Sequence, residues 1–378
     1  MKLMHLSDLH LGKRVNAYSM LEEQREILTQ ILHLADVQRP DGVLLAGDLY
    51  DKAVPPAEAV ELLDDFLVAL ANRSIPVFLI SGNHDSAERL AFGGRLMEHS
   101  GIYLSPVYDG TLRRIVLADK FGPIEIVLLP FLRPAQVRRY FPQAEIETYT
   151  DAVRTALEVL PEKTGRRVLV THQFVTGAVR AESEEVSVGG SDNVDAAIFD
   201  GFDYVALGHL HNPQSVTRPG IRYCGTPLAY SFSEAAIPRS VSLVTLAEPG
   251  NVAVETLPLV PQHAMRALRG TYAELTARSF YEATTYREDY LHITLTDETD
   301  IPDAIGKLRS IYHRILKLDY DNLRTRTGQQ IVRDEEAEKK SPQALFESFY
   351  TLQNNQAMCI EQREFVQTLM EQIWEEKS

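Results

Sequence analysis

The sequence has very few cysteines. Only Cys224 and Cys359 occur among the 378 residues, and their wide separation fits no metal-binding spacing. Two such residues cannot form a disulfide framework, so the composition indicates a reducing compartment. The chain also lacks any run of the roughly 18 apolar residues needed to span a bilayer, and Asp8 interrupts its short apolar start. From these absences we expect a soluble cytoplasmic protein that does not associate with membrane.

Basic residues are also scarce. Lys and Arg number 38 against 53 Asp and Glu, and the net charge is −15. Because neutralising phosphates requires Lys and Arg, this charge argues against a protein that simply coats nucleic acid. Residues 334–378 alone carry ten acidic and four basic residues. The local basic clusters, which are typical of solvated faces, are Arg113-Arg114, Arg133 with Arg138-Arg139, and Arg166-Arg167.

The first 85 residues predict an alternation of strands and helices. Continuous apolar runs such as Gly42 to Ala46 are typical of buried strands, and the segments between them have helical spacing. This is the α/β pattern, whereas later strands that lie close together in pairs indicate hairpins and a mixed sheet or sandwich. The predicted strands are 2–7, 42–46, 76–80, 112–117, 124–129, 167–171, 203–208, 240–246 and 252–257, and the predicted helices are 18–38, one from Pro55, 86–98 and 149–160.

The pattern changes after about residue 262. A strand at 290–295, a helix at 302–310 and a strand at 313–318 predict a small βαβ unit. Residues 321–341 are polar and charged, as in a linker, and two helices are predicted from Pro342 onward. We therefore expect three parts, with residues 1–262, 263–333 and 334–378 as their bounds.

Five short polar patches each follow an apolar run that predicts a strand. Because ligands of open α/β sheets bind at the carboxyl ends of strands, distance along the sequence does not prevent these patches from forming one site. Their carboxylates, imidazoles and amide suit two metal ions held side by side, and two metals indicate phosphoester hydrolysis. The patches are Asp8-Leu9-His10, Gly47-Asp48, Gly82-Asn83-His84-Asp85, Thr171-His172 and Gly208-His209-Leu210-His211.

The residue types limit the metal. A carboxylate can bridge two ions through its two oxygens, and Asp48 is our candidate for this bridge. Gly47 before it allows a sharp backbone turn, and Asn83 can offer its side-chain carbonyl oxygen. Mixed imidazole and carboxylate ligation favours Mn, Fe or Zn over Mg.

These motifs resemble those of the calcineurin-like metallophosphoesterases. Within that superfamily the chain is similar to the SbcD family, the nuclease subunits of bacterial SbcCD complexes. The resemblance implies an α/β (α+β) fold, with a metallophosphoesterase β-sandwich flanked by helices, a small βαβ capping domain that contacts DNA, and a C-terminal helical tail. It rests on residues 8–13, 47–56, 82–86 and 225–233.

The resemblance also implies a role for each motif residue. One metal would be held by Asp8, His10, Asp48 and His211, and the other by Asp48, Asn83, His172 and His209. His84 would be a catalytic residue near the scissile phosphate and not a ligand. Asp51 or Asp85 is a further candidate for orienting the His84 ring, and the alternative is a carboxylate in a turn or helix cap. Phosphate contacts are considered for Lys13, Arg89 and Arg95, for which the alternative is a solvated surface position. Base stacking is considered for Tyr230 and Phe232, for which the alternative is packing in the core.

The implied function is a DNA nuclease that uses two divalent metal ions, with Mn as the expected metal. It would act as a duplex exonuclease and as a single-strand or hairpin endonuclease, together with the SMC-like SbcC ATPase, in DNA repair, recombination and replication. The tail would bind SbcC, and helices early in the chain would pair two subunits within a heterotetramer. Residues 21–34 and 60–70 are the candidates for this pairing, and packing in the core is the alternative explanation of their apolar stripes. Two alternatives stay open: a phosphatase or cyclic-nucleotide phosphodiesterase of the same fold, and a non-enzymatic scaffold that tethers DNA ends.

Overall fold

A computed structural model of the protein describes residues 1–16, 18–180, 192–323, 325, 342–354 and 357–375. The chain divides into two compact units, Met1–Ala264 and Met265–Ser378. Most of the predicted linker at 321–341 lies outside the described residues. Among the residues that are described, no helix is both long and apolar enough to cross a membrane. Cys224 is buried and Cys359 is exposed, and both are free thiols.

The start of the first unit alternates strands and helices. Its elements are β1 (Lys2–Leu6), β2 (Arg14–Val15), β3 (Tyr18–Ser19), α1 (Leu21–Gln38), β4 (Gly42–Ala46), α2 (Ala57–Asn72), β5 (Val77–Ile80), α3 (Ala87–Leu90), α4 (Gly94–Met97) and β6 (Ile102–Leu104). The helix predicted from residue 18 begins at Leu21, since β3 pairs with β2 in a small hairpin. The single helix predicted at 86–98 is wrong: Gly93, with a φ of 75°, separates two short helices.

The rest of the first unit contains all six strands of the second sheet and the last two strands of the first sheet. Its elements are β7 (Arg113–Asp119), β8 (Gly122–Leu129), α5 (Pro134–Arg138), α6 (Tyr149–Glu158), β9 (Arg166–His172), β10 (Phe174–Val175), β11 (Asn193–Val194), β12 (Tyr204–Gly208), β13 (Gln214–Val216), β14 (Arg218–Tyr223), β15 (Arg239–Leu246) and β16 (Val252–Leu259). Single-turn 3-10 helices lie at Glu98–Ser100, Ala196–Phe199 and Phe232–Glu234.

Two six-stranded sheets form a sandwich in this unit. The strand orders are β16-β15-β1-β4-β5-β6 and β13-β14-β12-β9-β8-β7. In the first sheet β1, β4, β5 and β6 are parallel, and in the second β8, β9, β12 and β14 are parallel. The hairpins β7–β8 and β15–β16 add antiparallel edges, as the paired apolar runs predicted.

The sandwich core explains why the central strands are apolar at every position. Leu44 and Ala46 of β4 lie in one buried cluster with Val168 and Val170 of β9, which face them from the other sheet. The alternate residues of β9 and β12 face a second cluster, which includes Val153 on α6. Because both faces of these strands are covered, their sequences show no polar alternation.

The second unit begins with a three-stranded parallel sheet. Its elements are β17 (Met265–Gly270), α7 (Tyr272–Thr276), α8 (Arg278–Tyr281), β18 (Tyr290–Leu295), α9 (Ala304–Arg309), β19 (Arg314–Tyr320), α10 (Pro342–Asn354) and α11 (Ile360–Glu375). Parallel neighbours need crossover connections, and α7 to α9 lie in those connections. Strand β17, with charged Arg266 and Arg269 at exposed positions, was not predicted.

Candidate active site

The predicted site residues lie at the carboxyl ends of five parallel strands. Asp8 and His10 follow β1, Asp48 follows β4, and Asn83 and His84 follow β5 in the first sheet. In the second sheet His172 ends β9, and His209 and His211 follow β12. Both sheets therefore contribute to one cluster at the same edge of the sandwich.

The loops that carry these residues have unusual backbone conformations. Asp8, His10, Asp48 and His209 all have positive φ angles, of 53°, 44°, 48° and 102°. Each such residue costs on the order of 1–3 kcal/mol, and strain of this kind concentrates at functional sites. Hydrogen bonds between the loops fix the conformations, because Asp8 N donates to Gly47 O and His10 N donates to Asp48 O, both at 3.0 Å.

Asp48 lies at the centre of the cluster. Its Oδ2 is 3.3 Å from His172 Nε2, 3.9 Å from His10 Nε2 and 4.0 Å from His84 Nε2, while its Oδ1 accepts a 2.9 Å hydrogen bond from His84 N. Asp8 completes a second group of donor atoms with Asp48 and His172. One oxygen of the Asp48 carboxylate therefore faces three imidazole nitrogens.

The four imidazoles proposed as ligands form two pairs beside Asp48, His10 with His211 and His172 with His209. The ring centroids of His10 and His211 are 5.2 Å apart, and so are those of His172 and His209. Asn83 Oδ1 lies 2.9 Å from His172 Nε2 and 3.0 Å from His209 Nδ1. These three atoms, one oxygen and two ring nitrogens, therefore lie close together and could bind one ion.

The electrostatics leave two of these imidazoles neutral. Burial lowers the pKa of His10 well below its ordinary value and lowers that of His209 to about 3. Burial would also lower the pKa of His172, but the charges of Asp48 and Asp8, together with hydrogen bonds to Asp48 and to the Ala46 backbone, outweigh burial and raise that pKa to about 9. The pKa of Asp48 is correspondingly held low by His172 against the effect of burial. Burial raises the pKa of Asp8 to about 6.

Two glycines make room for His172 between the sheets. A Cβ atom at Gly47 or at Gly208 would lie 2.6 Å from His172 Nδ1. This nitrogen is 2.8 Å from the Ala46 carbonyl oxygen, which fixes Nε2 toward Asp48 and Asn83. The glycines of the Gly-Asp and Gly-His motifs therefore serve the close approach of the two sheets.

His84 differs from its neighbours in exposure and in partners. Its side chain is 33% exposed, whereas Asp8, His10, Asp48 and His172 are almost fully buried. Its Nδ1 lies 3.0 Å from the Asp51 carbonyl oxygen. The Asp51 residue thus orients the ring through its backbone, and its carboxylate instead binds Lys13 Nζ at 2.7 Å.

Asp85 does not orient the His84 ring, which corrects one of the two alternatives predicted from the sequence. Its carboxylate accepts hydrogen bonds from the backbone N–H groups of Leu49, Tyr50 and Gly82, at 3.1, 2.9 and 2.9 Å. Asp85 therefore joins the loop after β4 to the loop after β5. Burial and the charge of Asp48 raise its pKa to about 6.

The other candidates for substrate contact have mixed placements. Lys13 is held by Asp51 beside the site. Arg89 lines an apolar cavity of about 270 Å³ formed with α2, and Arg95 is exposed. Tyr230 is buried, and its hydroxyl donates to Leu9 O, so core packing accounts for it and base stacking does not. Phe232 begins the last 3-10 helix and is partly exposed.

Sequence reasoning missed the residues that support the site. Gln24 on α1 donates from Nε2 to His10 O at 2.8 Å and accepts at Oε1 from Gly12 N at 3.0 Å. The only available signal in the sequence was a polar amide on the apolar face of a predicted helix, and a single amide at such a position does not form a recognisable motif. Glu234, which contacts His211, is a second such residue.

Comparison with known proteins decides the family. Residues 1–213 match the family described as calcineurin-like phosphoesterase, and residues 261–354 match one described as type 5 capsule protein repressor C-terminal domain. The chain is 31% identical over 379 residues to a protein of Staphylococcus epidermidis that is named as the SbcD subunit of the nuclease SbcCD, with 98% of each chain covered. It is 29% identical over 385 residues to the protein of the same name from Staphylococcus saprophyticus, with 100% of each covered. The chain belongs to the SbcD family of calcineurin-like phosphoesterases.

Among solved structures, the SbcD-family chain is similar to a dimetal phosphatase from Danio rerio. The two are 12% identical with a TM-score of 0.41, and the match covers 69% of this chain and 97% of the other. The family assignment rests on the sequence relatives.

The residues present fit the divalent metals that the family implies. Both ring nitrogens of His10 are buried without a hydrogen-bond partner, which is costly for an imidazole unless a ligand takes one of them. Two carboxylates, four imidazoles and one amide oxygen supply enough donors for two ions that share Asp48. The assignment of each residue to one ion stays a prediction.

Proposed function

We propose that this protein is a Mn-dependent DNA nuclease that cuts duplex ends as an exonuclease and single strands or hairpins as an endonuclease. The observation that carries the proposal is the placement of Asp48 between two pairs of imidazoles, beside a partly exposed His84. Phosphoester hydrolysis follows from the family, and the nuclease function is supported by relatives named for it that match over the whole chain.

The metal ions, when bound, would polarise the phosphodiester and lower the pKa of the attacking water. Asp48 would bridge the ions, with Asp8, His10 and His211 on one and Asn83, His172 and His209 on the other. The strained loops would fix the donor positions before substrate arrives.

His84 is the proposed proton donor. Its Nδ1–H would donate to the Asp51 carbonyl, which leaves Nε2 as the nitrogen on the Asp48 side. A protonated Nε2 would give its proton to the leaving oxygen as the phosphorus–oxygen bond breaks. Partial exposure suits this role, because the ring must reach a substrate that enters from solvent.

The tail is the proposed contact with an SbcC-type ATPase. Exposed apolar side chains occur on both of its helices, among them Phe349 at 58% and Phe365 at 68% exposure. An acidic segment cannot neutralise DNA phosphates, but an apolar helical face can dock on another protein's helices. Among the tail residues whose burial is described, Leu345, Phe346, Ile360 and Leu369 are also exposed.

A second copy of the chain is the other proposed partner. On α2, one of the helices considered for subunit pairing, Val60 and Val68 are 45% and 48% exposed. Phe92 and Leu96, at 85% and 78%, extend the apolar surface of this region. We propose a homodimer within a heterotetramer, which acts on DNA in the cytoplasm during repair, recombination and replication.

The test is digestion of blunt linear duplex DNA by the purified chain in Mn²⁺, with and without an SbcC-type partner and ATP. The matched control is Asp48→Asn purified in the same way, which should be inactive if the activity belongs to this site. Hydrolysis of small aryl phosphodiesters without any digestion of duplex DNA, even with the partner and ATP, would instead indicate a phosphatase or cyclic-nucleotide phosphodiesterase.

A further inference from the structure

Glu234 is a buried carboxylate that the proposed reaction does not use directly. It ends the 3-10 helix Phe232–Glu234, and its side chain is 0% exposed. Its Oε1 lies 2.9 Å from Nδ1 of His211. A carboxylate this deeply buried requires strong partners, and one of its partners is a proposed metal ligand.

The second oxygen of Glu234 is fixed by other groups. Oε2 accepts hydrogen bonds from Tyr230 N and from Arg239 Nη2, both at 3.1 Å. Arg239 is itself only 5% exposed and also donates to the His211 carbonyl oxygen at 2.8 Å. The same small network therefore holds both the ring and the backbone of His211.

This contact has a chemical consequence for His211. A carboxylate at Nδ1 keeps the proton on that nitrogen and leaves Nε2 as the lone pair for a metal. It also makes the imidazole a stronger donor than a neutral partner would. His172 on the other side of Asp48 hydrogen-bonds at its Nδ1 to a neutral group, the Ala46 carbonyl oxygen at 2.8 Å, and the Asp8 carboxylate lies beyond hydrogen-bond distance of that nitrogen, at 4.0 Å. The two halves of the centre are therefore supported differently.

We propose that Glu234 is a positioning residue for one metal of the pair. It fixes and strengthens His211, so the ion held by the His10 and His211 side depends on it, and the ion on the His172 and His209 side does not. This inference rests on the proposed two-metal function.

The test is a Mn²⁺ titration of the chelator-treated full-length chain, with free Mn²⁺ counted by electron paramagnetic resonance. The wild-type chain should bind two ions. Glu234→Gln keeps the shape of the side chain and removes its charge, so one site should weaken about 10–100-fold and the other should stay within about twofold. When the chain is loaded with Co²⁺ instead, Glu234→Gln should lose the part of the visible absorption that belongs to the weakened site and keep the rest.

Two further variants separate positioning from stability. Glu234→Gln leaves the buried Arg239 without its carboxylate partner. Asp119→Asn is the control, because it removes the carboxylate partner of another buried arginine, Arg166, which is 1% exposed. Arg166 begins β9, about 20 Å along the strand from His172, so this control should still bind two ions normally. The double variant Glu234→Gln with Arg239→Met removes the unpaired charge and should keep the selective loss.

Each remaining outcome contradicts a defined claim. If Glu234→Gln binds both ions with wild-type affinity and only melts at a lower temperature, Glu234 is a structural anchor and the inference is wrong. Equal weakening of both sites in the double variant would also overturn it. If the wild-type chain binds fewer than two ions, the proposed two-metal function itself fails.

Discussion

Replacing His84 by alanine should abolish most of the hydrolysis and leave the metal centre intact. The ring is 33% exposed, its Nδ1 contacts one backbone carbonyl, and its Nε2 is 4.0 Å from the nearest Asp48 oxygen. Removing it therefore opens no core cavity and leaves all seven candidate ligands in place. A general acid contributes about 10²–10⁴-fold to the rate, which corresponds to about 3–5 kcal/mol of transition-state stabilisation. We expect a loss of that size in kcat on duplex DNA, with little change in KM.

The assay uses two substrates that differ in their leaving groups. A deoxyribose alkoxide needs a proton as it leaves, whereas 4-nitrophenolate does not. His84→Ala should therefore lose far less activity on bis(4-nitrophenyl) phosphate than on linear duplex DNA. His99→Ala, which removes an exposed histidine outside the site, is the control.

Two results would refute the reasoning about His84. Equal losses on the two substrates would show that the ring does not act on the leaving group. Loss of one metal ion per chain, measured by mass spectrometry of the dialysed variant, would make His84 a ligand. His84 is close enough to be tested as a ligand in this way, because the donor atoms of His10, Asp48 and His84 lie within 4.8 Å of one another.

Three further predictions concern stability. Chelation should lower the melting temperature, since Asp8 and Asp48 are buried carboxylates, and added Mn²⁺ should raise it again with the logarithm of the Mn²⁺ concentration, with about 2.7 kcal/mol of stability regained at 100 times Kd; a melting temperature insensitive to chelator would contradict this. Asp119→Asn should cost about 3 kcal/mol in urea unfolding, because Arg166 loses its carboxylate. Since Arg166 holds the pKa of Asp119 low, the pair stabilises the fold above about pH 4 and the difference between variant and wild type should shrink as the pH falls below that; a constant difference would count against it. Asp85→Asn should cost about 2–3 kcal/mol in the same assay, since an amide cannot accept from three backbone N–H groups, and wild-type stability would show that the two loops hold without it.

The sequence predicted the central strands well, for a physical reason. Strand Gly42–Ala46 has the bounds that its apolar run indicated, because burial on both faces requires an uninterrupted run. Strand Tyr290–Leu295 has the bounds that its alternation of apolar and polar residues indicated, because His292 and Thr294 lie on a less buried face. Strand β17 escaped prediction because it carries Arg266, Arg269 and Gly270 and shows no such run. The short helices after β5 escaped it because apolar spacing continues across Gly93.

The candidate site was predictable in its residue types and not in its supports. The motif residues converge because parallel strands end at one edge, which is a general property of such sheets. Gln24, Glu234 and the carbonyl of Asp51 act through contacts between segments that lie far apart in the chain. No local pattern records such contacts, and the hypothesis that placed Asp85 on His84 from proximity in sequence was wrong for this reason.

The most direct test of the central claim is anomalous X-ray diffraction from crystals of the Mn²⁺-loaded chain. We expect one anomalous peak on each side of Asp48, one beside His10 and His211 and the other beside His172 and His209, with His84 outside coordination distance of both. A single peak, or a peak that is coordinated by His84, would contradict it.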